Sequence, residues 1–333
     1  MKMKRVWAWL LMLAMCVMLV SCAQDTNDES TKTTQNATTT TTASGQGTEN
    51  PITPILYRVT DDDGHTIWLF GSIYVGTESY YPLPTYVQTA FESAEVLAVE
   101  CDVVAFEKDM DAMTQALSQL VYRDGSSIKD HIPTELYDKA VAIFKENQCY
   151  ASTLDVYYPV FWSYMIDYLK LMNIESDPGF GIDRYLINAA YETEKEIVEI
   201  ESGQLQHKIL ADLGEEIQLM LLEFSVETYE NEDVVADAFA ELMDLWASGD
   251  EETLAAYLND SDDTLTENEK ALWEEYDRIM VIERTLSMAA YAEEALAGGK
   301  DTFICVGAAH VVGEGGLANL LSQRGYTVTR ITK

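Results

Sequence analysis

The sequence predicts an α/β domain: a central mixed β-sheet built from strands near both ends of the body, with a long helical insertion. Three observations carry this. Short apolar, β-rich runs occur at 55–60, 65–70, 95–102, 196–201, 301–307 and 326–331. Stretches with apolar residues at three- and four-residue steps separate them, the alternation of a sheet covered by helices. The longest interval without a strand signal, about 203–299, is helical in pattern and very acidic.

In chain order, "ILYRVT" (55–60) and "HTIWLF" (65–70) flank "DDDG" and read as a hairpin. "LFGSIYVG" (69–76) follows as a loop, and Pro84 opens a helix over "TYVQTAFESA". "EVLAVECD" (95–102) is a buried strand by its continuous apolar centre. Helical patterns cover 105–121 and 126 to about 172, with "PTELYDKAVAIFKENQ" the clearest because Pro marks its start. "YYPVFWSYMIDYLKLM" (157–172) is apolar on most sides, as a buried helix or a cleft wall would be. It is too short for a membrane span and contains Asp167. "GIDRYLINAAYETEK" (181–195) is a helix and "EIVEIE" (196–201) a strand. "DTFICVG" (301–307) is the last core strand, "GGLANLLSQRG" a helix, and "YTVTRI" (326–331) an edge or neighbouring strand.

The first 50 residues do not read as part of this body. "MKMKR" and the short apolar run after it have the form of a secretory signal peptide, residues 1–21. It ends in "LVSC", which resembles a bacterial lipobox, so Cys22 is the expected lipid attachment site. Residues 22–50 are rich in Thr, Ser, Asn and Gln without an apolar run, and cannot offset their ordering entropy. They read as a disordered tether, leaving 51–333 as the folded domain. The expected location is extracytoplasmic, at the cell surface, with the membrane engaged through the lipid on Cys22.

The chain carries 57 Asp and Glu against 21 Lys and Arg, a formal net charge of −36. Such a protein is repelled by nucleic acid, which we exclude as a partner. Without the signal, Cys101, Cys149 and Cys305 remain beyond Cys22. They have no paired spacing, so a disulfide framework is not expected. Cys101 and Cys305 read as small buried hydrophobes.

No GxGxxG, Walker A, HExxH or GxSxG motif is present. Of the four His, His65 and His131 lie in solvated turns, and His207 on a helix start that could face either way. His310 differs. It follows a core strand and the small residues "VGAA", at a strand C-terminus where open α/β sheets bind ligands. "LFGSIYVG" has the same spacing but places Tyr74 there. Glu100, Asp102 and Glu201 end apolar strands. They read either as ordinary strand-end acids of an acid-rich chain or, for Glu100 and Glu201 with His310, as one cleft. Mixed imidazole and carboxylate donors suit a divalent ion of the manganese, cobalt or zinc class.

The order "LFGSIYVG", "VLAVECD", "GIDRYLINAA", "VEIESGQLQ", "ERTLSMA", "FICVGAAHVVGEGGLANLL" resembles the TraB/PrgY/GumN family, to which the animal Tiki proteins belong. The resemblance covers about 55–333. It implies a metal-dependent hydrolase of the peptidase kind, with Glu100, Glu201 and His310 as metal ligands and catalytic groups, and Arg284 and Tyr74 beside them. Asp183 and Gln206 also match family positions. Two positions depart from the pattern: Tyr74 stands where the family has His, and Thr285 where it has Asn. The alternative is an inactive lipoprotein that binds a peptide or glycan in the same cleft.

Overall fold

A computed structural model describes residues 52–172, 178–259 and 264–332. The signal peptide, the tether and Cys22 lie outside the described residues. Six strands form one sheet: β1 (Leu56–Thr60), β2 (Thr66–Ser72), β3 (Val96–Val99), β4 (Glu196–Glu199), β5 (Thr302–Gly307) and β6 (Thr327–Ile331), in the spatial order β4-β3-β5-β2-β1-β6. β4, β3, β5 and β2 run parallel, and β1 is antiparallel to both β2 and β6.

Burial explains the order. β5 and β3 are buried at every position and take interior places, as continuous apolar runs require. β4 and β6 carry exposed residues and form the two edges. The hairpin read at "DDDG" pairs Thr60 with Thr66. β5, distant in sequence, inserts between β2 and β3 and so brings residues near 72, 100 and 307 to one edge.

Helices α1 (Thr85–Ser93), α2 (Val103–Phe106) and α3 (Met110–Leu117) belong to the first half of the chain. α4 (Thr134–Glu146), α5 (Pro159–Met172) and α6 (Ile182–Glu192) precede β4. Between β4 and β5 come α7 (Gly203–Ala211), α8 (Glu215–Tyr229), α9 (Glu232–Ser248), α10 (Glu251–Leu258), α11 (Glu267–Asp277) and α12 (Glu283–Gly298). The described residues of the acidic interval are thus helices joined by short turns. α13 (Ala308–Val311) and α14 (Leu317–Gln323) complete the crossover to β6. No helix among the described residues is long and apolar enough to cross a membrane.

α5 is the buried helix its composition implies, and Asp167 within it is explained. Asp167 accepts from Lys170 at 2.7 Å and from Ser225 of α8 at 2.9 Å, and Lys170 also donates to Thr228 at 2.6 Å. A buried acid is tolerated when its charge is paired and its oxygens are satisfied.

Candidate active site at the carboxyl edge of the parallel strands

Two glycine loops leave adjacent strands side by side, with Ser72 in register with Gly307. A Cβ on Gly71 would lie 3.1 Å from the Ala308 Cα, so glycine and alanine allow the two backbones to touch. A Cβ on Gly76 would lie 2.2 Å from the Phe180 carbonyl oxygen. The Tyr74 loop is therefore pressed against the segment entering α6, which carries Asp183.

Arg284 organises the cluster. Its Nη2 donates to Glu100 Oε2 at 2.5 Å and to Glu201 Oε2 at 2.8 Å, and its Nε to Glu201 Oε1 at 2.8 Å. Nη1 donates to the Met280 carbonyl at 3.0 Å. Met280 lies in a π-helical turn, Arg278–Ile282, that joins α11 to α12; such turns occur frequently at functional sites. Gly307 N–H donates to Glu100 Oε1 at 2.8 Å, and Gln206 Nε2 to Glu201 Oε2 at 3.0 Å. Arg284, Glu100 and Glu201 are all nearly buried, so this is a desolvated charge network rather than a surface pair.

His310 is fully buried. Its Nδ1 meets Thr285 Oγ1 at 2.8 Å, while Nε2 has no hydrogen-bond partner and lies 4.0 Å from Glu100 Oε1. Burial, reinforced by the charge of Arg284, pushes its pKa down to about 3, so the ring is neutral at physiological pH. If Nδ1–H donates to Thr285, Nε2 presents a lone pair; if the threonine hydroxyl donates, Nε2 carries the proton. Thr285, met in the sequence as a departure from a pattern, is thus the partner that holds Nδ1 and orients the ring.

Asp183 joins from α6. Ser72 Oγ donates to its Oδ1 at 2.8 Å, with Cys305 Sγ at 3.6 Å, and its Oδ2 is buried without a partner. Burial and then the nearby Glu100 charge push its pKa up to about 7. The Tyr74 phenol is held well above its ordinary value by burial, then by Glu100 and Asp183. The Cys305 thiol is raised by burial and by Asp183, so it is not a thiolate.

The edge is enclosed rather than open. Ser72, Tyr74 and Ala308 face Phe239 and Met243 of α9 and Leu254 of α10 across a cavity of about 20 Å³, room for roughly one water.

As a cation site the cluster fits in part. Glu100 Oε1 and the unpaired His310 Nε2 face each other and could share one ion. Both oxygens of Glu201 are already held by Arg284 and Gln206. Tyr74 could join only as a phenolate, which its raised pKa opposes. Among the described residues, three potential donors come together elsewhere, at Asp61, Asp63 and His65 in the β1–β2 turn. There His65 Nδ1 is 2.8 Å from Asp61 Oδ2.

The remaining candidates stand apart. Asp102 caps α2, accepting from Ala105 N–H at 2.9 Å and from the Tyr191 hydroxyl at 2.5 Å. His207 is fully buried, its Nδ1 2.8 Å from the Gly203 carbonyl. His131 is less solvated than its loop position suggested, because it stacks on Tyr122 with ring centroids 4.1 Å apart. Cys101 and Cys305 are buried.

No curated protein and no solved structure matches the chain. Residues 55–330, which hold every member of the cluster, match the TraB/PrgY/gumN family, and the chain belongs to that family.

Proposed function

We propose that the protein is a hydrolase of the peptidase class, held outside the cytoplasm by lipid on Cys22, with its reacting centre at Glu100 and His310. The observation that carries this is the fully buried His310 Nε2, which has no partner and stands 4.0 Å from Glu100 Oε1. An unpaired polar atom in a sealed site is costly, and a ligand or a reacting group beside Glu100 would satisfy it.

Each surrounding group has a defined task. Thr285 fixes the imidazole through Nδ1. Arg284 holds Glu100 and Glu201 in place and offsets their charge. The Tyr74 hydroxyl stays protonated and serves as a donor to an oxyanion. Asp183 Oδ2 is free to take or give a proton. A divalent ion of the manganese, cobalt or zinc class would be held by Glu100 and His310, and would supply an activated water. Closure by α9 and α10 keeps bulk water out, and these helices must part to admit a peptide.

A second reading has its own support: Arg284 already balances both glutamates, and Tyr74 offers no imidazole. On that reading the site binds a ligand without turning it over. Metal content and peptide hydrolysis of the wild type, Tyr74→His and His310→Ala variants separate the two. Hydrolysis abolished by His310→Ala supports the enzyme. A wild type that is inactive with and without added metal, with Tyr74→His gaining both metal and activity, establishes the second reading. The anchor is checked by Cys22→Ala, which should lose incorporation of radiolabelled palmitate; retained label would refute it.

A further inference from the structure

A second cavity, of about 400 Å³, shares no residue with the strand-edge cluster. Its aromatic wall is rigidly built. Tyr122 stacks on His131, and Tyr158 meets Tyr122 edge-on at 4.7 Å and 68°. The backbones carrying both tyrosines are tied together: Tyr122 N–H donates to the Val156 carbonyl and Tyr158 N–H to the Leu120 carbonyl, each at 2.8 Å.

The polar lining has an excess of acceptors. Gln218 is 5% exposed. Its Nε2 donates to the Leu213 carbonyl at 2.7 Å, while its Oε1 is buried without a partner, and the residue lines the cavity. Asp124 and Glu215 add two carboxylates, which only accept. Of the basic groups in the lining, Arg123 already donates through Nη2 to the Ser118 carbonyl at 2.7 Å, and His131 Nδ1 lies 3.7 Å from Glu215 Oε1. The lining therefore calls for a ligand that brings hydrogen-bond donors and positive charge. A sugar ring would use the aromatic wall but would leave the charge unanswered.

We propose that this cavity binds a primary alkylammonium group, as carried by a lysine side chain or a free diamine. Its N–H groups donate to Gln218 Oε1 and to the Glu215 carboxylate. The charge lies against the Tyr122 and Tyr158 rings, where cations are attracted to the π face. Pro159, Ala211 and Leu213 line the same cavity and supply apolar surface for the methylene stem.

Calorimetric titration of the full-length protein with cadaverine, a capped Ala-Lys-Ala peptide and methyl glucoside tests this. We expect one saturable amine site. Glu215→Gln and Gln218→Leu should each weaken it, by up to about tenfold, since each removes one acceptor of the ammonium group. Glu274→Gln, at an exposed acid of α11, should leave it unchanged. Binding of the peptide as well as cadaverine points to a lysine side chain as the source; binding of cadaverine alone points to a free amine. Three results would overturn the proposal: no saturable amine binding at millimolar concentration, equal weakening by Glu274→Gln (diffuse counterion binding to an acidic surface), or saturation by the glucoside alone. Glu215 is on the surface, its side chain 87% exposed, so its variant keeps the test valid even if Gln218→Leu fails to fold.

Discussion

Replacing Arg284 with Met tests whether the guanidinium is the centre of the cluster. The side chain makes four hydrogen bonds, three of them to Glu100 and Glu201. Met keeps much of the volume and removes the charge and every donor. Two nearly buried carboxylates, 4% and 9% exposed, then share one enclosed space without a counter-charge. Removing one partner of a buried ion pair costs roughly 3–5 kcal/mol, because the other charge is left desolvated. For a body of this size that is a fall in melting temperature of roughly 10 °C. The loss has a pH signature. In the variant the stranded carboxylates hold protons more readily in the folded than in the unfolded chain, so its relative stability declines as pH rises. The deficit should be largest near pH 8 and shrink towards pH 5. Denaturant unfolding of wild type and variant across that range measures it. Adding Glu201→Gln should recover at least about 1 kcal/mol, since contacting residues couple by roughly 0.5–3 kcal/mol. A loss below about 1 kcal/mol that is flat with pH would refute the reasoning.

Asp183→Asn should flatten part of the stability–pH profile. The folded pKa of Asp183 is raised from 3.8 to about 7. Its protonated form therefore stabilises the fold fully below pH 3.8, and that contribution is lost as pH rises through 7. At 1.4 kcal/mol per tenfold the span is at most ~4 kcal/mol. An unchanged slope between pH 4 and 7 in the variant's unfolding profile would contradict this. His310 runs the other way. Its pKa is lowered from 6.5 to about 3, so the stability of the neutral buried ring is present above 6.5 and lost as pH falls towards 3. Imidazole ¹⁵N NMR should show a neutral His310 at pH 5, in one tautomer that Thr285→Val disturbs and Thr285→Ser restores. Titration near 6.5, or indifference to Thr285→Val, would show that the ring is not held as described.

The sheet was legible because its strands announce themselves locally. Strand β5 reads as six consecutive buried residues, and the hairpin reads from four turn residues between two β-branched runs. Strand order was less legible, since nothing local in "DTFICVG" says that it inserts between β2 and β3 rather than adding at an edge. Partnerships across the fold were hidden for the same reason. The partner of Asp167 is one turn away at Lys170, yet the pair is stable only because α8 supplies Ser225 and Thr228. His131 was read as solvated from its loop position, whereas its environment is set by Tyr122 and Tyr158 arriving from two other segments.

The site shows the same division more sharply. Glu100, Glu201 and His310 were selected because each follows a strand, and parallel strands deliver their ends to one edge whatever lies between them. What the strands could not reveal is what those groups face. Arg284 lies 184 residues from Glu100 and 83 from Glu201, on a helix whose π-turn has no sequence signal we can identify. It converts a presumed three-donor metal set into a carboxylate network, with Glu100 and His310 still facing one another. Tyr74 stood out in the sequence as a departure from a histidine, beside the expected ligands. Beside Glu100 and Asp183 the phenol is held in its protonated form. An imidazole at the same place would be neutral or charged depending on what else was bound. The substitution therefore changes which proton the site can hold, and Tyr74→His is the more informative variant for that reason. It alters the proton inventory at one loop while Arg284 continues to fix both glutamates.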